Sequence, residues 1–73
     1  MSKIIVHKDK QGIETEYYNE TLNNVLKQLE GKEGTLTLSL YFEGMFVKTA
    51  LIGDLKDNLN GEDYYNAYCE VTS

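Results

Sequence analysis

The chain has 73 residues and a net charge of −5, from seven basic and twelve acidic side chains. All seven basic residues are lysines, so the planar fork that grips phosphate and guanine is missing, and the acidity repels a nucleic-acid backbone at long range. There is room for one domain, residues 1–73, with an apolar fraction of 41% that suffices for a small core and argues against disorder.

Cys69 is the single cysteine, which rules out an intrachain disulfide and a cysteine metal cluster. The opening run Ile4-Ile5-Val6 is too short for a signal peptide, and no stretch approaches the roughly 18 apolar residues of a membrane span. The expectation is a cytoplasmic protein that uses neither membrane nor nucleic acid.

Ile4 to Val6 are β-branched and suit a strand. Asp9-Lys10-Gln11-Gly12 reads as a turn, and Ile13 to Tyr18 resumes an extended pattern, so residues 3–8 and 13–18 form a first hairpin. Leu22, Val25, Leu26 and Leu29 then recur at i, i+3, i+4 and i+7, the spacing of a helix with one apolar stripe. Asn19 is the expected N-cap and Gly31 the expected stop.

From Thr35 to Ile52 near-perfect alternation surrounds a Glu43-Gly44 turn and predicts a second hairpin. An unbroken ladder pairs Leu40 with Val47, Leu38 with Thr49 and Leu36 with Leu51 on the face that receives the helix. The opposite face then holds Tyr41, Phe46, Lys48 and Ile52. Residues 54–60 read as a loop or a single helical turn. From Tyr64 to Val71 alternation competes with helical spacing, and the tyrosines favour a fifth strand.

The expected fold is α+β, in the order β-β-α-β-β with a fifth C-terminal strand, one helix packing on one face of a mainly antiparallel sheet. That order of elements resembles small β-grasp domains, including bacterial immunoglobulin-binding modules. The resemblance is of order alone and implies no function.

Chemistry-bearing residues are few. His7 is the lone histidine and has no nucleophile or carboxylate motif to work with. Cys69, next to Glu70, reads as a small buried hydrophobe rather than a nucleophile. Aligning Gly61 with the glycine of a calcium loop puts Lys56 and Ala67 where carboxylates are required, so residues 54–63 read as a solvated acidic loop. No glycine pattern fits a phosphate cradle. No catalytic residue, cofactor or metal is expected.

Six tyrosines against two phenylalanines are the remaining signal. A core this small cannot satisfy six phenol hydroxyls, and tyrosine is favoured where proteins meet. The sequence therefore points to a non-enzymatic interaction module that meets a protein partner, or a second copy as a homodimer, through an aromatic sheet face or a strand edge. The expected contact residues are Tyr41, Phe46, Lys48 and Ile52, then Tyr18 and Tyr68. The alternative is a phage-type acidic inhibitor that mimics nucleic acid in a host enzyme's groove, using Glu14, Glu16, Glu20, Glu30, Glu33, Asp54, Asp57, Glu62 and Asp63.

Overall fold

A computed structural model describes residues 2–73. The elements run β1 (Ser2–Lys8), β2 (Glu14–Tyr17), α1 (Leu22–Gln28), β3 (Thr35–Phe42), β4 (Met45–Asp54) and α2 (Gly61–Thr72). The fold is α+β: one four-stranded sheet in the order β2-β1-β3-β4, every neighbouring pair antiparallel. Both helices supply core side chains to the same side of the sheet, and among the described residues no helix lies on the other side. The core gathers Ile5, Leu36, Leu38, Leu40, Ala50 and Ile52 from the sheet, with Leu22, Val25 and Leu29 from the α1 region and Ala67 and Val71 from α2.

The two hairpins form as the patterning dictates. Asp9 holds the first turn, its Oδ1 accepting from the backbone N–H of Gln11 and of Ile13 at 2.9 Å each. In the second, Glu43 (φ 51°) and Gly44 (φ 81°) both take positive φ, as a two-residue hairpin turn with the right twist requires. Glycine accepts this freely, whereas glutamate is strained there. The α1 cap falls two residues later than the sequence suggests. Thr21 caps through its hydroxyl, which accepts from the Asn24 N–H at 3.2 Å, while Asn19 takes the left-handed conformation before it.

The fifth strand is not formed, because Tyr64 to Val71 lie within α2. Two facts outweigh β-propensity there. Asn60 and Asp63 make a reciprocal capping box, with Asn60 Oδ1 accepting from the Glu62 N–H and Asp63 Oδ2 accepting from the Asn60 N–H, both at 2.9 Å. Tyr64, Ala67 and Val71 then form a helical stripe that seals the core. A strand would have turned Tyr65 and Cys69 inward with Ala67 and Val71. The helix instead leaves Tyr65 and Cys69 exposed, so Cys69 is not the buried hydrophobe its alternating context suggested.

The register of the second hairpin is the other correction. Tyr41 pairs with Phe46 as expected, but Leu40 then pairs with Lys48, which leaves Val47 as an extra residue. A second irregularity, between Thr37–Leu51 and Leu36–Gly53, leaves Ile52 extra. Each bulge shifts the side-chain phase by one. Ala50 therefore faces the helices opposite Leu38, Lys48 lies on that side opposite Leu40, and Leu51 swings to the bare face with Thr37. Ile52 is 6% exposed and belongs to the core, not to the outer face.

One residue fixes how the α1–β3 connection meets β1. Gly34 has φ 127°, and a Cβ there would lie 2.2 Å from the Lys8 carbonyl oxygen and 2.8 Å from His7 Nε2. Substitution of Gly34 by alanine would push β3 away from β1.

Relieving the strain at Glu43 gives a direct check on the turn. Glu43→Asn should stabilise the protein by about 0.5 kcal/mol and raise the melting temperature by roughly 2–4 °C, because asparagine enters the left-handed region more readily. A lower melting temperature in a calorimetric scan would show that the turn is built differently.

Candidate protein interface

The bare side of the sheet is organised in rows that cross the strands. One row runs Glu16–Val6–Thr37–Leu51, and the next runs Ile4–Ser39–Thr49. A third runs Ser2–Tyr41–Phe46 towards the β3–β4 turn. Ile4 and Val6 are buried although no helix covers them, so neighbouring side chains on this face close over them. The polar centre is satisfied internally: Ser39 Oγ donates to Thr49 Oγ1, which donates to the Leu38 carbonyl, each at 3.2 Å.

Around that centre, large apolar groups stand in water. Tyr18 is 59% exposed, Phe46 57% and Leu51 61%. The Tyr41 ring meets Phe46 edge to face, with centroids 5.8 Å apart and an interplanar angle of 73°. A shallow depression of about 300 Å³, lined by Ser2, Ile4, Tyr18, Tyr41 and Gly44, lies within this aromatic end. The patch continues onto the hairpin tip, where Phe42, Met45 and Val47 are each more than half exposed.

Of the residues the sequence marks out, Tyr18, Tyr41 and Phe46 come together on this face. Lys48 lies on the opposite side. Tyr68 is on α2 and also on the helix side, where Lys3 Nζ sits 5.0 Å from the centre of its ring. Ile52 is internal. Leu51 and Ile4 are the members that sequence reasoning missed. The signal for Leu51 was present: Phe46-Val47 and Leu51-Ile52 are adjacent apolar pairs, which strict alternation cannot place on one face.

Tyr18, one residue past β2, is anchored to that strand by its hydroxyl, which donates to the Glu16 carboxylate. This bond to a carboxylate holds the phenol above its ordinary 10.0, with slight desolvation and the Glu16 charge acting the same way. Tyr65, outside the patch, is raised likewise, first by its interaction with the Cys69 thiol one turn later.

The sites of conventional chemistry are placed as follows. His7 is 6% exposed and Nε2 donates to the Glu33 carbonyl at 2.9 Å, so its hydrogen-bond partner is backbone. It lines a polar cleft of about 530 Å³ with Gln11, Thr15, Tyr17, Gln28 and Lys32. An exposed Lys10–Glu33 ion pair at 2.8 Å spans the two loops there, worth under about 1 kcal/mol. The loop at 54–60 is tied down by Leu55 and Leu59 packing on the core. Among the described residues no three His, Cys, Asp or Glu side chains gather as a metal site, and no helix is long and apolar enough to cross a membrane. The carboxylates of the charge-mimic alternative are divided among the bare face, the surroundings of α1 and the 54–63 segment, where Asp63 is occupied in capping.

Comparison with known proteins adds no kinship: no protein-family model, curated protein or solved structure matches the chain.

The Tyr18–Glu16 bond makes a pH prediction. A raised folded-state pKa means that its stabilisation is present below pH 10 and is lost as the phenol ionises above it. In an ultraviolet titration of the tyrosines, Glu16→Gln should move one phenol down towards 10.0. An unchanged titration curve would show that Tyr18 does not donate to Glu16.

Proposed function

We propose that the protein is a non-enzymatic protein-interaction module whose working surface is the aromatic end of its bare sheet face. The observation that carries this reading is the exposure of Tyr18, Phe46 and Leu51 around a sheet centre that is already packed and satisfied. A face that needed only to be wet would carry threonine and lysine at those positions. Exposed aromatic groups beside an apolar tip form the contiguous kind of patch that marks contact sites, and tyrosine loses little conformational freedom on being covered. Edge-to-face packing holds Tyr41 against Phe46, so part of the surface is ordered before a partner arrives.

The test uses immobilised wild-type protein and the variant Phe46→Ser/Leu51→Ser, both side chains being more than half exposed so that the fold is retained. A specifically captured protein should stay bound as salt is raised and be lost from the variant, with binding at least tenfold weaker. Capture that survives the substitutions but is released by salt would contradict the reading and favour the charge-driven inhibitor.

A further inference from the structure

We infer that the free edge of β4 is a self-association surface, joined by the same edge of a second copy of this chain in antiparallel pairing. This deepens the interaction-module reading and rests on it. The two free edges of the sheet are treated very differently. At the β2 edge the strand has only four residues, two of them Glu14 and Glu16, which is how an edge is kept from pairing. The β4 edge has ten residues, no proline, and one charged side chain, Lys48, before Asp54 closes it. Bulges at Val47 and Ile52 interrupt it, which leaves Lys48 to Leu51 as the regular stretch that can pair.

Electrostatics selects a second copy. Residues 35–53 contain one acid, Glu43, and one base, Lys48, so this stretch is neutral and the −5 resides on the rest of the chain, beginning with Asp54 at the end of β4. Two acidic molecules therefore meet at lowest cost edge to edge along β4. An antiparallel edge is self-complementary in its hydrogen bonds and generates a closed two-fold dimer. A two-fold axis at Ala50 sets Ala50 against itself and Thr49 against Leu51 of the partner subunit. Lys48 is then not opposed to its own copy.

Surface area sets the strength. The protein exposes 5044 Å², against about 4,600 Å² expected for a folded monomer of 8.3 kDa. Phe42, Met45, Phe46, Val47 and Leu51 leave about 100 Å² apiece in water, a ceiling near 500 Å² for the side chains. That falls short of the roughly 800 Å² per partner of a standard interface, so the dimer is weak and forms only at high concentration.

The test is the mass by sedimentation, from about 10 µM to about 1 mM, of wild type and of Val47→Lys/Leu51→Lys, with circular dichroism as a check on folding. The wild-type mass should rise from 8.3 kDa towards twice that value, and the variant should stay at 8.3 kDa. Leu51 also belongs to the bare face, so amide exchange of the wild type decides between edge and face, whether or not the variant folds: slower exchange at Lys48 to Leu51 with rising concentration supports the edge joint, and unchanged exchange overturns it. A wild-type monomer throughout would overturn the inference and leave the partner-capture reading to its own test. A dimer that survives the lysines but dissociates on Tyr18→Ser would show that copies meet through the face, which overturns the edge joint alone.

Discussion

The phase of β4 governs the molecule. A strand presents alternate side chains to opposite sides, so one extra residue exchanges everything beyond it between core and water. Here the bulge at Val47 exchanges sides for residues 48–51, and the bulge at Ile52 restores the original phase at Gly53. Between them the strand gives the helices Ala50, whose small side chain lies opposite Leu38, and sends Leu51 outward. At the second bulge Ile52 turns into the core. Without those shifts Thr49 and Leu51 would face the helices, Ile52 would join the outer aromatic group, and the core would take a hydroxyl in place of a methyl group.

The rest of the architecture fits around that choice. Ile5, Leu36 and Leu38 form the floor of the core, and Val25 and Leu22 close it from one side. Helix α2 closes it from the other with Ala67 and Val71, small residues that allow the helix to approach β3 and β4 closely. The central strand β1 is buried on both sides, from Ile4 through His7, although only one side has a helical layer. Its outer residues depend on neighbouring side chains for cover. The bare face is thus a thin second apolar layer with an aromatic rim, not an unused surface. In a domain of this size, which buries only about 60% of its unfolded surface, the partner proposed for that rim would add stability as well as contact.

Much of this was legible in the residues. Alternation announced both hairpins, Glu43-Gly44 announced the turn, and the Leu22–Leu29 spacing announced the first helix. Tyr18, Tyr41 and Phe46 could be grouped because they precede or adjoin the turn, before any bulge intervenes. Two features were not legible, for different reasons. The C-terminal segment carries both periodicities, and a cap outside it, Asn60 with Asp63, decided between them together with a helix stripe that needed tertiary packing. The register of β4 was hidden because Thr49 and Ala50 are small enough to sit on either side. Only the doublets Phe46-Val47 and Leu51-Ile52 betrayed it, and a doublet does not say which member turns inward. Burial in the core cluster with Ala67 and Val71 of α2 settles that for Ile52, and at Gly53 a Cβ would collide with Leu59 Cδ2 at 2.5 Å.

The most direct measurement is a comparison of two neighbouring charge substitutions by thermal unfolding. Leu51→Asp places a carboxylate in water on the bare face and should melt within a few degrees of wild type. Ile52→Asp buries a carboxylate in the core and should cost upwards of about 3 kcal/mol, enough to unfold a domain of marginal stability. The reverse order, with Leu51→Asp unfolded and Ile52→Asp native, would mean that β4 pairs in simple alternation. The bare aromatic face, and the edge argued from it, would then have a different composition from the one described.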